Sequence, residues 1–223
     1  MRSSVECSTK NNELCVSIQG ASGKMFIIGI TGGSGAGKTS ALMALRSLGA
    51  LVLDCDAIYH ELLSDDAELR SELGGRFPEV LVDGVIDRKR LGEIVFTDKE
   101  ALRDLNAITH RFVGGEIERQ LAEWEASGGA VAAIDAIALI DSGRNEKCDV
   151  VVGVVAPVDV RISRIMRRDG VSREQAELRI NAQKPESFFR ENCDHTLEGT
   201  FDNPEDFEEM CKAFFAEIIN NVV

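Results

Sequence analysis

One stretch limits the fold of this chain more than any other: IIGITGGSGAGKTSALMAL, residues 27–45. Within it, Gly32-Gly33-Ser34-Gly35-Ala36-Gly37-Lys38-Thr39 fits G-x-x-x-x-G-K-[ST] without a mismatch. The apolar run MFIIGI stands directly before it and reads as a strand. KTSALMALRSLGA follows with helical spacing, and Gly49 is its stop. Glycines allow positive φ and close approach, so successive backbone N–H groups of such a strand–loop–helix unit wrap a phosphate. The helix directs the positive end of its dipole at the same spot. The pattern assigns Gly32, Gly33, Ser34, Gly35, Ala36, Gly37, Lys38, Thr39 and Ser40 to a bound nucleotide. Lys38 would reach its β and γ oxygens, and the Thr39 hydroxyl would ligate Mg²⁺.

MFIIGI is flat and apolar, as a strand buried on both faces of a parallel sheet must be. ALVLDCD, AVAAID and DVVVGVVA read as a second, third and fourth strand, and DHTLEG as a short fifth. Residues 57–128 contain no convincing strand. They read as the helices AIYHELLSDDAELRSEL, DRKRLGEIVF and DKEALRDLNAITHRFVGGEIERQLAEWEA. That is too long for a crossover, so the segment is expected to be a helical subdomain on one sheet edge. A second helical excursion, PVDVRISRIMRRDGVSREQAELRINAQ, is rich in arginine. Both excursions would rise near the strand ends where ligands of open α/β sheets bind. In the C-terminal PEDFEEMCKAFFAEIINN, residues Phe207, Met210, Phe214 and Ile218 recur at helical intervals and form the expected core stripe.

With 223 residues the chain suits one α/β domain, or a core carrying a small subdomain. Its net charge of −13 argues against nucleic acid or an anionic membrane surface as the main partner. A phosphorylated small substrate is still compatible, because a few local cations and a bound metal reverse the field inside one pocket. Six cysteines without a C-x-x-C pair suggest small buried hydrophobes in a reducing compartment, and the cytoplasm is the default location. No stretch is long and apolar enough to span a bilayer. Residues 1–24 lack the apolar centre of a secretory signal. They read as a leader, disordered or not native, and stand outside the fold argument.

Phosphate binding serves switches, motors and transferases. A guanine-nucleotide switch needs Asp-x-x-Gly, and no aspartate here is followed three residues later by glycine. NEKCD, residues 145–149, has one residue too many to be a guanine-reading Asn-Lys-x-Asp. A hydrolysing motor needs a glutamate beside the acid that closes its core strand, and AVAAIDAIAL supplies only Asp135. Transfer to a bound acceptor is better supported by VLDCDAIYHELL. Strand alternation would send Asp54 and Asp56 to one side, where a carboxylate could take an acceptor hydroxyl's proton. Asp56 could equally cap the helix beginning at Ala57.

IIGITGGSGAGKT, SLGALVLDCDAIYHEL, DGVIDRKRLGEIVF, LNAITHRFV, IDAIALIDSG, CDVVVGVVAP, RISRIMRRDGVS and LRINAQ follow in an order that resembles the dephospho-coenzyme A kinase family over roughly residues 26–200. The resemblance implies an α/β fold: a three-layer P-loop core around a mostly parallel five-stranded sheet, with a helical insertion subdomain and a helical lid. The core would comprise residues 25–56 and 129–223, the lid about 158–184, and the substrate-binding insertion 57–128. It also implies ATP-dependent phosphorylation of the ribose 3′-hydroxyl of dephospho-coenzyme A, with ATP and Mg²⁺ required. Asp56 matches the expected catalytic base, His110 an acceptor contact, Arg88 a contact for substrate or for helix packing, and Arg164 and Arg168 the lid arginines. Arg179 and Gln183 fall in a neighbouring block. Asp135, closing the third strand, is the candidate outer-sphere partner of the Mg²⁺, and equally reads as a buried structural acid. Ile137 stands where the family has proline, Asp141 where it has glutamate, and Gly199 where asparagine is frequent. A monomer or weak homo-oligomer is expected. The alternative reading is a kinase of the same architecture acting on a nucleoside or another small metabolite.

Overall fold

The computed structural model describes residues 24–200 and 203–222, so the leader, apart from Lys24, lies outside the described residues. Five strands, β1 (Phe26–Gly32), β2 (Leu51–Asp54), β5 (Val131–Asp135), β6 (Val150–Val155) and β7 (His195–Glu198), form one sheet in the order β2-β5-β1-β6-β7. Every neighbouring pair in it is parallel. All five correspond to expected strands.

Alternation along these strands builds two apolar layers. Ile28, Ile30, Val131, Ala133, Val150, Val152 and Val154 face helices α1 (Lys38–Ser47) and α9 (Pro204–Val222). Leu53, Ala132, Ile134 and Val151 face the other way, against α2 (Cys55–Asp65) and the C-terminal half of α5 (Lys99–Ala126). The buried line of α9 is Phe207, Cys211, Phe215 and Ile219. It is shifted by one residue from most of the expected stripe. Met210, Phe214 and Ile218 only flank it, because the apolar band is two residues wide and the sheet takes the line spaced by four.

β2 stops at Asp54 instead of running to Asp56. The Asp54 carboxylate accepts from the Asp56 and Ala57 N–H groups at 2.9 and 3.0 Å, so it caps α2 and starts that helix two residues early. Asp56 is therefore neither a strand residue nor the cap. The helix expected over 57–73 also breaks, at Asp66, which ends α2 and caps α3 (Ala67–Arg76) through the Leu69 N–H.

The insertion is not purely helical. β3 (Leu81–Val82) and β4 (Val85–Ile86) pair antiparallel around Asp83-Gly84, whose φ values of +50° and +79° are those of a tight hairpin turn. Val-Asp-Gly-Val was the overlooked signal. With α3, α4 (Arg88–Thr97) and the start of α5, this hairpin closes a separate apolar cluster that includes Leu69, Leu73, Phe77, Val80, Ile86, Leu91 and Val95.

The arginine-rich segment forms α6 (Val158–Asp169) and α7 (Arg173–Asn181), joined through Ile162, Ile165, Ala176 and Ile180. α8 (Glu186–Asn192) leads back into β7. Cys55, Cys148, Cys193 and Cys211 are free thiols, and burial pushes each up to about 11 or 12, as suits inert packing groups. Cys7 and Cys15 lie outside the described residues.

Candidate active site

The glycine-rich loop leaves the C-terminal end of β1, the middle strand. At Gly32 φ is +144°, and a Cβ there would sit 2.2 Å from the Val154 carbonyl oxygen, so β6 excludes any side chain. Gly37 holds the N-cap position of α1 and offers no side-chain acceptor. The N–H groups of Gly35, Gly37, Lys38 and Thr39 consequently have no acceptor among the described residues. They border a cavity of about 580 Å³ that also receives Asp56, Ile137, Arg164, Arg167 and Arg168. Unsatisfied amides at a helix start suit a multiply charged anion.

One expected amide is spent elsewhere. Ser34 N–H donates to Gln183 Oε1 at 2.9 Å, and Gln183 Nε2 donates to Ser34 Oγ at 2.7 Å. Arg161, only 5% exposed, donates to Ser34 O at 2.9 Å and to Gln183 Oε1 at 2.8 Å. Arg164 donates to the carbonyls of Gly35 and Ala36 at 3.2 and 3.3 Å. Helix α6 thus grips the loop by its carbonyls. The spacing of the arginines gave no way to separate clamp from lining. Arg161, on the buried side of α6 with Ile162 and Ile165, only clamps, whereas Arg164 both clamps the loop and borders the cavity.

The residue after β7 (His195–Glu198) also approaches the loop. A Cβ on Gly199 would lie 2.1 Å from the Ala36 carbonyl oxygen, so in this packing the position excludes a side chain. Arg168 donates through Nε and Nη2 to Asp169 at 2.7 and 3.0 Å, and Arg179 shares that carboxylate at 2.6 Å.

A second cavity, about 240 Å³, adjoins the first between α2, α5 and the segment after β5. Its lining includes Cys55, Asp56, Tyr59, Asn106, Thr109, His110, Ile137, Ser142 and Arg144. Asp56 and Ile137 alone border both cavities among the lining residues. Partial burial and the Arg144 charge beside it lower the His110 pKa, so its ring is neutral near pH 7 and acts as a hydrogen-bonding group. Arg88 Nη2 lies 3.1 Å from His60 Nε2 beside Tyr59 and lines neither cavity.

Lys38 Nζ donates to Gly32 O at 3.2 Å. Asp135 pairs in register with Asp54 across β2 and β5, and its Oδ1 is buried with no hydrogen-bond partner among the described residues. Burial pushes its pKa from 3.8 up to about 6; Lys38 opposes this, and Asp54 and Asp56 add to it. Among the described residues no three His, Cys, Asp or Glu side chains group as metal ligands. A single orphaned carboxylate oxygen suits an ion that takes most of its ligands from phosphate and water, as Mg²⁺ does.

The raised pKa of Asp135 sets a sign for stability. Between pH 4 and 6 the folded chain keeps a proton that the unfolded chain has released. Stability therefore falls as pH rises through that window and stays lower above it. Asp135→Asn removes this penalty, and a gain of about 2 kcal/mol is expected at pH 7.5, shrinking toward pH 4.5. Denaturant titrations in metal-free buffer at both pH values measure it, and an equal gain at both would contradict the buried-acid account.

A family model described as dephospho-CoA kinase matches residues 26–202. The dephospho-CoA kinase of Geobacter sulfurreducens is 40% identical over 163 residues, covering 72% of this chain and 83% of that protein. Among solved structures, TT1252 from Thermus thermophilus superposes with a TM-score of 0.74 at 36% identity, covering 86% of this chain and 97% of the other. A dephospho-CoA kinase from Campylobacter jejuni gives a TM-score of 0.64 at 28% identity, covering 88% and 98%.

Proposed function

The chain belongs to the dephospho-CoA kinase family, and on that premise we propose that its two adjoining cavities carry ATP-dependent phosphorylation of the ribose 3′-hydroxyl of dephospho-CoA, giving CoA. The observation that carries this reading is the position of Asp56, which borders both the phosphate-loop cavity and the second, less polar one. A group that joins a donor site to an acceptor site is where transfer belongs.

In this reading the free amides of Gly35, Gly37, Lys38 and Thr39 hold the donor's phosphates, and Lys38 turns from the Gly32 carbonyl to the β and γ oxygens. Asp56 orients the acceptor hydroxyl and takes its proton as the hydroxyl oxygen bonds to the γ-phosphorus. The bond from that phosphorus to the β–γ bridging oxygen breaks, and ADP departs. Arg164, Arg167 and Arg168 on one face of α6 stabilise the charge on the transferring group. Thr39 and Asp135 would hold Mg²⁺, which when bound neutralises phosphate charge. His110, Asn106 and Tyr59 would line the acceptor's nucleoside end. At about 240 Å³ that cavity is below the roughly 300 Å³ usual for enclosed drug-sized ligands, so most of a long acceptor would extend outside it.

No helix among the described residues is long and apolar enough to cross a membrane. A reducing cytoplasmic setting accords with the four free thiols. ADP release is expected with dephospho-CoA, at a rate at least about 100-fold above that with uridine, adenosine or shikimate. Release without any acceptor at a comparable rate would make the protein an ATPase and end this reading.

A further inference from the structure

The acceptor cavity has a single lysine or arginine in its lining, Arg144, which the motif pattern did not single out. It stands on the short helical turn Arg144–Lys147 after β5 and donates through Nη2 to the His110 carbonyl at 2.8 Å. No carboxylate pairs with its guanidinium among the described residues. The nearby Glu118 is engaged by Lys147. In a chain of net charge −13, an arginine half-buried in a cleft without an acidic partner is unusual.

The opposite wall makes room for it. Gly114 lies inside α5, a 28-residue helix, where glycine costs about 1 kcal/mol relative to alanine. A Cβ there would come within 3.3 Å of Arg144 Nη1 and 3.5 Å of Nη2. The missing methyl leaves the guanidinium room beside α5, where Nη2 meets the His110 carbonyl and the other N–H groups of this cavity-lining residue have no carboxylate partner among the described residues. A planar fork with spare donors matches a phosphate better than it matches a neutral base or sugar.

Resting on the acceptor reading above, we propose that Arg144 is the specificity residue that binds the diphosphate of the acceptor, and so selects nucleoside 5′-diphosphate esters over uncharged nucleosides. The diphosphate lies only a few bonds from the 3′-hydroxyl that Asp56 meets. Both groups therefore belong to the one cavity that these two residues line.

Steady-state kinetics of Arg144→Ala and Arg144→Lys test this. Arg144→Ala is expected to raise the KM for dephospho-CoA about 30-fold, with kcat within about threefold and the KM for ATP unchanged. The rise of that KM with salt should flatten in the alanine variant, and Arg144→Lys should recover part of the loss. An unchanged KM for dephospho-CoA overturns the assignment. So does a parallel loss in the KM for ATP or a fall in kcat alone, either of which marks a merely structural role. If the unaltered protein fails to phosphorylate dephospho-CoA at all, the acceptor reading itself falls.

Discussion

Asp56→Asn is expected to lower kcat with dephospho-CoA about 10³-fold, with little change in the KM for ATP. The substitution keeps the shape and the hydrogen-bonding reach of the side chain and removes only its basicity. The helix beneath should not notice, because the cap of α2 is Asp54, whose carboxylate holds the Asp56 and Ala57 N–H groups. Asp56 itself is exposed, so thermal stability should stay within about 0.5 kcal/mol of the parent. Loss of turnover with an unmoved melting curve assigns the proton transfer. Turnover near normal removes Asp56 from the chemistry and with it the link between the two cavities.

Lys38→Ala should abolish transfer to a similar extent, about 10³-fold or more in kcat/KM for ATP. The ammonium is the one mobile cation based inside the loop, and its contact with the Gly32 carbonyl is replaceable by phosphate oxygens. Its removal also takes away a charge that opposes the upward shift of the Asp135 pKa. The variant should therefore retain more protonated Asp135 near pH 6 than the parent. Circular dichroism and a melting curve establish that the fold persists, and a single-turnover assay reads the transfer. A variant that keeps a tenth of the parent rate would show that backbone amides and the arginines of α6 suffice.

The phosphate loop was legible because its demands are local. A glycine pattern, a strand before it and a helix after it specify one backbone path, and the structure follows it closely. The five strands were legible because each is a short apolar run with little choice of face. Asp56 was legible as a candidate but not in its setting: alternation placed it on a strand, whereas Asp54 drew two amides to its carboxylate and began α2 early. Capping competes with sheet pairing over two or three residues, and a periodic pattern has no resolution at that scale. The hairpin around Asp83-Gly84 was hidden for a related reason, since two-residue strands carry no periodicity and only the turn residues signal them. Arg144 was illegible, because nothing local marks an arginine on a short turn as part of a cavity.

The sequence by itself determined that the chain binds phosphate in an α/β sheet and which residues form the loop, since those properties depend on neighbours a few positions away. Only the tertiary structure decided that Arg161 clamps the loop, that Arg167 and Arg168 border the cavity and that Arg164 does both. It alone set Asp56 and Ile137 on the border of both cavities, and left an oxygen of Asp135 buried without a partner among the described residues. These outcomes join residues more than a hundred positions apart in some pairs, as Ser34 and Arg161 are. Their energies come from burial and from competition for donors and acceptors, which exist only after the chain has packed.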